Sequence, residues 1–359
     1  MGLVLALLGI SIIYFKKIDE ECGLFPVQSG GFVSRICSYI IWQEVMGLKK
    51  LRSRPLLSGG KIGIAAPASP VKDQAEIEAG AELLLNLGFQ TVLGETARPL
   101  EGYLAGSDLE RRADLERFWR DDSIDAIWCL RGGYGSARLL PNLYLGLIER
   151  NPKILIGFSD IAGIELGLWK RTKLVTFHGP VLTTLKSEFS IKQALQTLAG
   201  ETVGKPLFWP ENKRVDYLVF KEGKARGPLL GGNLALVSSL LGTGYFPDLE
   251  GAILFLEETE EPPYRIDRML TQLLESGVLD VVAGIMIGRC NPIEGKAEED
   301  IIKVWAERLS KVASPAAYGF PIGHIPEQWT LPQGIGAEVD FSAGEVILVE
   351  SPFISEREK

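Results

Sequence analysis

Short apolar runs alternate with longer amphipathic stretches from about residue 60 to residue 205, and this alternation sets the expected architecture. Residues 61–67 read as a first buried strand. Asp73 and Glu76 then stand at capping-box spacing, where side-chain oxygens meet the free N–H groups of a helix start. Ile77, Ala81, Leu84 and Leu87 follow at helical spacing, and Gly88 marks the stop. A strand is expected near residues 91–93. Ser107 and Glu110 form another capping box and open a charged helix over Asp108–Arg120, with Leu115, Phe118 and Trp119 as its core stripe. Residues 126–130 are continuously apolar, the pattern of a strand buried on both faces. They run into Arg131-Gly-Gly-Tyr-Gly135 and a helix from Ser136. Residues 154–156 run in the same way into Gly157-Phe-Ser-Asp160 and a helix over 161–169. Regular alternation of strand and helix predicts an α/β fold with a parallel, doubly wound sheet of the Rossmann or flavodoxin-like kind. Sites in such sheets form beyond the carboxyl ends of the strands, the edge that both glycine-containing turns occupy.

The periodicity fades over residues 207–227, which reads as a linker between a first domain at 59–206 and a smaller α/β domain of mixed strands at 228–355. In the second domain Asn233 caps a helix over 234–241, and residues 252–256 form a buried strand that ends in Glu257-Glu258. Ile266, Met269, Leu270, Leu273 and Leu274 line one face of a helix over 264–275, closed by Gly277. A strand at 281–287, a helix at 301–309 and a hairpin around Ala343-Gly344 complete the pattern.

Residues 1–58 stand apart as an extension. Residues 3–14 are apolar and precede Lys16-Lys17, but a spanning helix needs about 20 residues. The run also lacks a preceding basic residue and a small-residue cleavage site, so it makes a poor secretory signal. It reads as a weak membrane anchor, as a partly ordered appendage, or as sequence upstream of a true start at Met46; the last two are favoured together. A formal net charge of -8 argues against a nucleic-acid partner, which calls for a basic surface. Cys22, Cys37, Cys129 and Cys290 show no paired metal spacing, and with only two histidines a zinc site is not expected.

The chemistry concentrates at Ser159. A serine at a strand-to-helix corner exposes its hydroxyl, and the next residue, Asp160, offers a free N–H at the helix start. Those are the needs of an acyl-transfer nucleophile. The proton acceptor must be His178 or His324. The loop at Gly132-Gly133-Tyr134-Gly135 fits neither the dinucleotide fingerprint nor the P-loop. It reads as a plain turn or as a second source of oxyanion donors. Arg131 beside it could hold a substrate carboxylate bidentately. Taken singly, Glu257 is a strand end meeting solvent and His324 an incidental loop residue. Taken with Ser159, they give a nucleophile, an acid and a base in the order Ser, Glu, His, and triads are recognised by geometry rather than by spacing.

The motifs Arg131-Gly-Gly-Tyr-Gly135, Gly157-Phe-Ser-Asp160, Phe177-His-Gly-Pro180, Leu230-Gly-Gly-Asn-Leu234, Leu254-Phe-Leu-Glu257, Arg265-Ile-Asp-Arg-Met-Leu270 and Gly323-His324 stand in the order seen in LD-carboxypeptidases. Over residues 60–350 the chain resembles that serine peptidase family, which includes muropeptide LD-carboxypeptidases and microcin-immunity peptidases. The resemblance implies Ser159 as nucleophile, His324 as base and Glu257 as the acid that orients it. Backbone N–H groups of Asp160, Gly132 and Gly133 are then the expected oxyanion donors, Arg131 and Tyr134 contact substrate, and His178 has a structural or wall role. It further implies a cytoplasmic homodimer without metal or organic cofactor that removes terminal D-alanine from peptidoglycan tetrapeptides. Three rivals stand beside this: a family member that cleaves a peptide–nucleotide antibiotic conjugate, an α/β-hydrolase esterase, and a non-enzymatic two-lobed binding protein. Loops 181–190 and 258–264 would separate the two family substrates. The esterase reading fails on the missing second glycine of the Gly-x-Ser-x-Gly elbow.

Overall fold

The computed structural model describes residues 49–211, 214–295 and 297–355, and these form two sheets. The first is built from β1 (Lys61–Ala65), β2 (Gln90–Leu93), β3 (Ala126–Cys129), β4 (Ile154–Gly157) and β5 (Phe177–His178), all parallel. Their spatial order is β2-β1-β3-β4-β5, so the order reverses between β1 and β3. β3 and β4 are buried along their whole length, as their apolar runs require. Helices α1 (Gln74–Asn86), α2 (Asp108–Arg120), α3 (Leu145–Arg150), α4 (Ile161–Thr172) and α5 (Glu188–Leu198) intervene or follow. The reciprocal capping box at Ser107 and Glu110 is present, whereas Asp73 caps α1 through the N–H of Ala75 alone. The stretch from Ser136 is a 3-10 turn over Ser136–Asn142 with Pro141 inside it, rather than an α-helix.

The second sheet is mixed. Its strands β6 (Leu218–Lys221), β7 (Lys224–Asn233), β8 (Ile253–Glu261), β9 (Gly284–Pro292), β10 (Ala316–Tyr318), β12 (Gly336–Asp340) and β13 (Glu345–Leu348) lie in the order β13-β12-β7-β8-β9-β10-β6. β7 to β10 run parallel, and β6, β12 and β13 are antiparallel additions at the two sides. Helices α6 (Leu234–Leu240), α7 (Pro263–Glu275), α8 (Val278–Val281) and α9 (Glu298–Leu309) complete it. The residues 207–227, aperiodic in sequence, hold β6 and the start of β7. Val281 ends a short helix, and the strand expected from there begins instead at Gly284.

Two features join the sheets. β11 (Leu331–Pro332), from the C-terminal part of the chain, pairs antiparallel with β5 and closes the edge of the first sheet. β8 alternates its faces: Leu254 and Leu256 enter an apolar core shared with the first sheet, whereas Ile253 and Phe255 enter a second core with Trp329 and Phe341. No helix among the described residues is long and apolar enough to cross a membrane, and the apolar run 3–14 lies outside the described residues.

Candidate active site

β4 delivers Ser159. Its φ is 64°, a left-handed conformation rare for a residue with a Cβ, which costs about 1–3 kcal/mol and is kept only where the surroundings enforce it. Asp160, the next residue, anchors the corner through its side chain and its carbonyl. One Asp160 carboxylate oxygen accepts the Ser136 N–H at 2.7 Å, and its carbonyl accepts the Ser136 hydroxyl, so the corner is pinned to the neighbouring 3-10 turn. α4 starts at once at Ile161, and the N–H of Asp160 has no acceptor among the described residues. The same holds for the N–H groups of Gly132 and Gly133. Gly132 lies against the serine: a Cβ there would stand 2.9 Å from Ser159 Cβ and 3.1 Å from Oγ. The loop is held by Ser69, whose N–H donates to the Gly132 carbonyl and whose hydroxyl accepts the Tyr134 N–H at 3.0 Å.

The second sheet delivers the partners. His324 Nε2 lies 3.1 Å from Ser159 Oγ, and its Nδ1 lies 2.7 Å from Glu257 Oε2. Glu257 does not sit at a strand end in water, the plain reading of its position in sequence. It is fully buried within β8, at a register shift between Leu256 and Glu258, and such a bulge re-aims a side chain. Glu258 is buried too, and accepts from Asn233 Nδ2, Ala235 N and Thr259 N at 2.8–2.9 Å. Burial, reinforced by the Glu257 charge, pushes the Glu258 carboxyl up to about 7 against those three donors. For His324 burial works to lower the imidazole pKa. The Glu257 hydrogen bond and the charges of Glu257, Glu258 and Glu260 outweigh it, so the ring titrates above its ordinary value.

Three further residues shape the base: Phe158 and Gly323 lie in motifs quoted above without a role of their own, and nothing in the sequence singles out Asn291. Phe158 packs on the His324 ring at 4.7 Å between centroids. Asn291, at the end of β9, donates to the His324 carbonyl and holds the loop. Gly323, at φ 104°, lets that loop pass Glu257: a Cβ there would come within 2.7 Å of Glu257 Oε2. The other histidine is placed differently. His178 is fully buried between Phe158 and Phe255, with Nδ1 3.6 Å from the buried Glu165 carboxylate and no hydrogen bond from either ring nitrogen to a described residue. Arg131 is half-buried, donates to the Pro70 carbonyl at 3.1 Å, and forms no ion pair with a described residue. Tyr134 is exposed, with its ring 5.9 Å from that of Tyr103. Among the described residues no group of three or more His, Cys, Asp or Glu side chains is arranged to hold a metal.

Residues 62–179 match the pattern described as the LD-carboxypeptidase N-terminal domain, and residues 226–339 match the LD-carboxypeptidase C-terminal domain. The chain belongs to the LD-carboxypeptidase family. With the family comes the class of activity, that of a serine-type carboxypeptidase and hydrolase. The chain is 35% identical over 315 residues to the probable murein peptide carboxypeptidase of Bacillus subtilis, covering 86% of this chain and 98% of the relative. It is 32% identical over 284 residues to the murein tetrapeptide carboxypeptidase of Pseudomonas aeruginosa, covering 77% and 91%. Among solved structures, the microcin C7 self-immunity protein MccF in complex with aspartyl sulfamoyl adenosine superposes with a TM-score of 0.78 at 26% identity, covering 85% of this chain and 100% of the other. That protein is also known with adenosine monophosphate and with glutamyl sulfamoyl guanosine. These complexes correct one expectation. Net charge does not exclude a nucleotide: MccF, a protein of this fold, is known with nucleotide-bearing ligands.

Proposed function

We propose that Ser159, His324 and Glu257 act as a catalytic triad that hydrolyses an acyl bond at the carboxyl end of a small substrate. The observation that carries this reading is the unbroken line from Ser159 Oγ through His324 to the buried Glu257 carboxylate, at 3.1 and 2.7 Å. Glu257 accepts the Nδ1–H and so leaves Nε2 free to take the serine proton. The serine oxygen attacks the carbonyl, and the N–H groups of Asp160 and of Gly132 or Gly133 receive the oxyanion. One such donor is worth about 3–4 kcal/mol in other enzymes. His324 then returns its proton to the leaving nitrogen, and water repeats the cycle on the acyl-serine. Arg131, with no acid paired to it among the described residues, is the candidate for the substrate carboxylate. The reversal of strand order between β1 and β3 also supports a flavodoxin-like first sheet, whose sites lie at that point.

For the substrate we infer a conjugate in which an aminoacyl or peptidyl group is joined to a nucleotide, supported by the nucleotide-bearing ligands of MccF at a TM-score of 0.78. A second reading, release of D-alanine from murein tetrapeptides, is favoured by the 35% and 32% identities to the two murein enzymes, against 28% to MccF of Escherichia coli. The test offers the purified protein glutamyl sulfamoyl adenosine in one tube and a D-alanine-terminated tetrapeptide in the other, with products followed by chromatography. Release of the nucleoside sulfamate supports the conjugate reading. Cleavage of the tetrapeptide alone replaces it with the second, and cleavage of neither sinks both.

A further inference from the structure

The loop between β1 and α1 contains Pro67-Ala-Ser-Pro70, a stretch the hydrolytic chemistry above leaves without a task. It is bonded to the glycine loop in three places. Arg111 of α2, fully buried, donates through one nitrogen to both the Pro67 and the Gly135 carbonyl, and Asp108 holds its other nitrogen. Arg131 donates to the Pro70 carbonyl at 3.1 Å. Between these ties stands Ser69. Its N–H donates to the Gly132 carbonyl at 3.2 Å, and its hydroxyl accepts the Tyr134 N–H at 3.0 Å and donates to the Tyr103 carbonyl at 2.7 Å. The two prolines fix φ at both ends of the stretch, so Ser69 is presented on stiff backbone.

The consequence lies in the peptide that joins Gly132 to Gly133. A trans peptide directs its N–H opposite to its carbonyl, and this carbonyl is turned to Ser69. A Cβ at Gly133 would stand 2.3 Å from Ser69 Oγ, and one at Gly132 would stand 2.9 Å from Ser159 Cβ. The glycine strip therefore runs between the two serines, and a carbonyl held by Ser69 leaves the Gly133 N–H on the side of Ser159. We infer that Ser69 is a positioning residue for the oxyanion: it holds the two peptides that flank Gly133, so that an N–H rather than a carbonyl meets the group under attack. The inference rests on the proposed hydrolase reading. It goes beyond that reading in naming the Gly133 N–H as the donor the loop presents and in giving Ser69 its task. Without the hydroxyl, the Tyr134 N–H loses its acceptor and Ser69 its anchor on Tyr103. The strip is then free to rotate and to place an oxygen where negative charge develops. Oxyanion donors act by being fixed beforehand, so the loss falls on the transition state and spares ground-state binding.

Ser69→Ala and Ser69→Thr are compared with wild type by the rate of inactivation with a serine-directed fluorophosphonate, whose phosphoryl oxygen takes the oxyanion position, followed across pH. Affinity for the compound that the wild type cuts is measured by calorimetry on Ser159→Ala, with and without Ser69→Ala. Ser69→Ala should slow inactivation about tenfold or more, short of the ~100-fold or greater loss of a donor removed outright. The acid limb should stay in place, because His324 and Glu257 are untouched, and affinity should stay within about twofold. Ser69→Thr keeps the hydroxyl and should recover most of the rate. Should Ser69→Ala fail to fold, Ser69→Cys replaces it with the same expectation, since a thiol is a weak acceptor. Inactivation of the folded variant within twofold of wild type overturns the inference. So does an equal loss of rate and affinity, a moved acid limb, or no recovery in Ser69→Thr. Failure of the hydrolase reading is seen separately, as wild-type protein that neither reacts at Ser159 nor cuts either substrate.

Discussion

Replacing Glu257 by Gln changes one atom and tests the whole proton path. Glu257 Oε2 accepts from His324 Nδ1 at 2.7 Å, whereas Oε1 makes no hydrogen bond with a described residue. The carboxylate is fully buried, so no water stands ready to replace it. In the glutamine variant the amide nitrogen can occupy the Oε2 position and donate to Nδ1. The imidazole proton then moves to Nε2, the atom 3.1 Å from Ser159 Oγ, and the base can no longer accept. The same change of tautomer in a serine protease triad lowers kcat by about 10⁴. At 1.36 kcal/mol per decade that is about 5.4 kcal/mol of barrier. The side chain keeps its volume, so circular dichroism and the thermal midpoint should stay near wild type. Loss of the negative charge also lowers the His324 pKa, because Glu257 supplies the hydrogen bond and the largest of the charges that raise it. Steady-state kinetics across pH should therefore show kcat down by about four decades, with the residual acid limb moved to lower pH. A variant within tenfold of wild type, with its acid limb unmoved, would refute the reasoning.

Other predictions follow from neighbouring geometry. Ser159→Ala and His324→Ala should each lower kcat by several orders of magnitude while the protein stays folded, read by turnover alongside a melting curve. Glu258→Gln should move the acid limb downward: the base must be neutral to act, the Glu258 charge helps hold its proton, and removing that charge releases the proton at lower pH. Because Glu258 itself titrates at about 7, the wild-type limb should reflect two coupled groups and the variant limb one, which a pH–rate profile resolves. Gly323→Ala should lose about 1–2 kcal/mol of stability from its left-handed backbone and displace Glu257, so that activity falls further than a denaturant titration explains. Ser107→Ala removes a side-chain cap from α2 and should cost about 1 kcal/mol in urea unfolding without altering turnover.

The sequence made the first sheet legible because each element there is decided locally. Continuous apolar residues at 126–130 can only be a buried strand, and the Ser107 box with the Leu115, Phe118 and Trp119 stripe defines α2 to the residue. The turn at Ser159 was legible for the same reason, since an apolar strand runs straight into a helix. Features that depend on distant contacts were hidden. Burial of Glu257 needs the bulge in β8 and the passage of Gly323, residues 66 apart in the chain. β11 has two residues and no periodicity, and only its pairing with β5 makes it a strand. Asp160 was read for its N–H, but its carboxylate is what pins the corner to Ser136. Phe158 reads as an ordinary core residue until the His324 ring is seen lying on it.

Covalent capture tests the central assignment most directly. The protein is treated with a serine-directed fluorophosphonate, its intact mass is measured, and the modified peptide is sequenced by fragmentation. A single adduct on Ser159 is predicted, absent in Ser159→Ala and formed far more slowly in His324→Ala. An adduct on a different serine, or hydrolysis that persists at the wild-type rate in Ser159→Ala, would contradict the account.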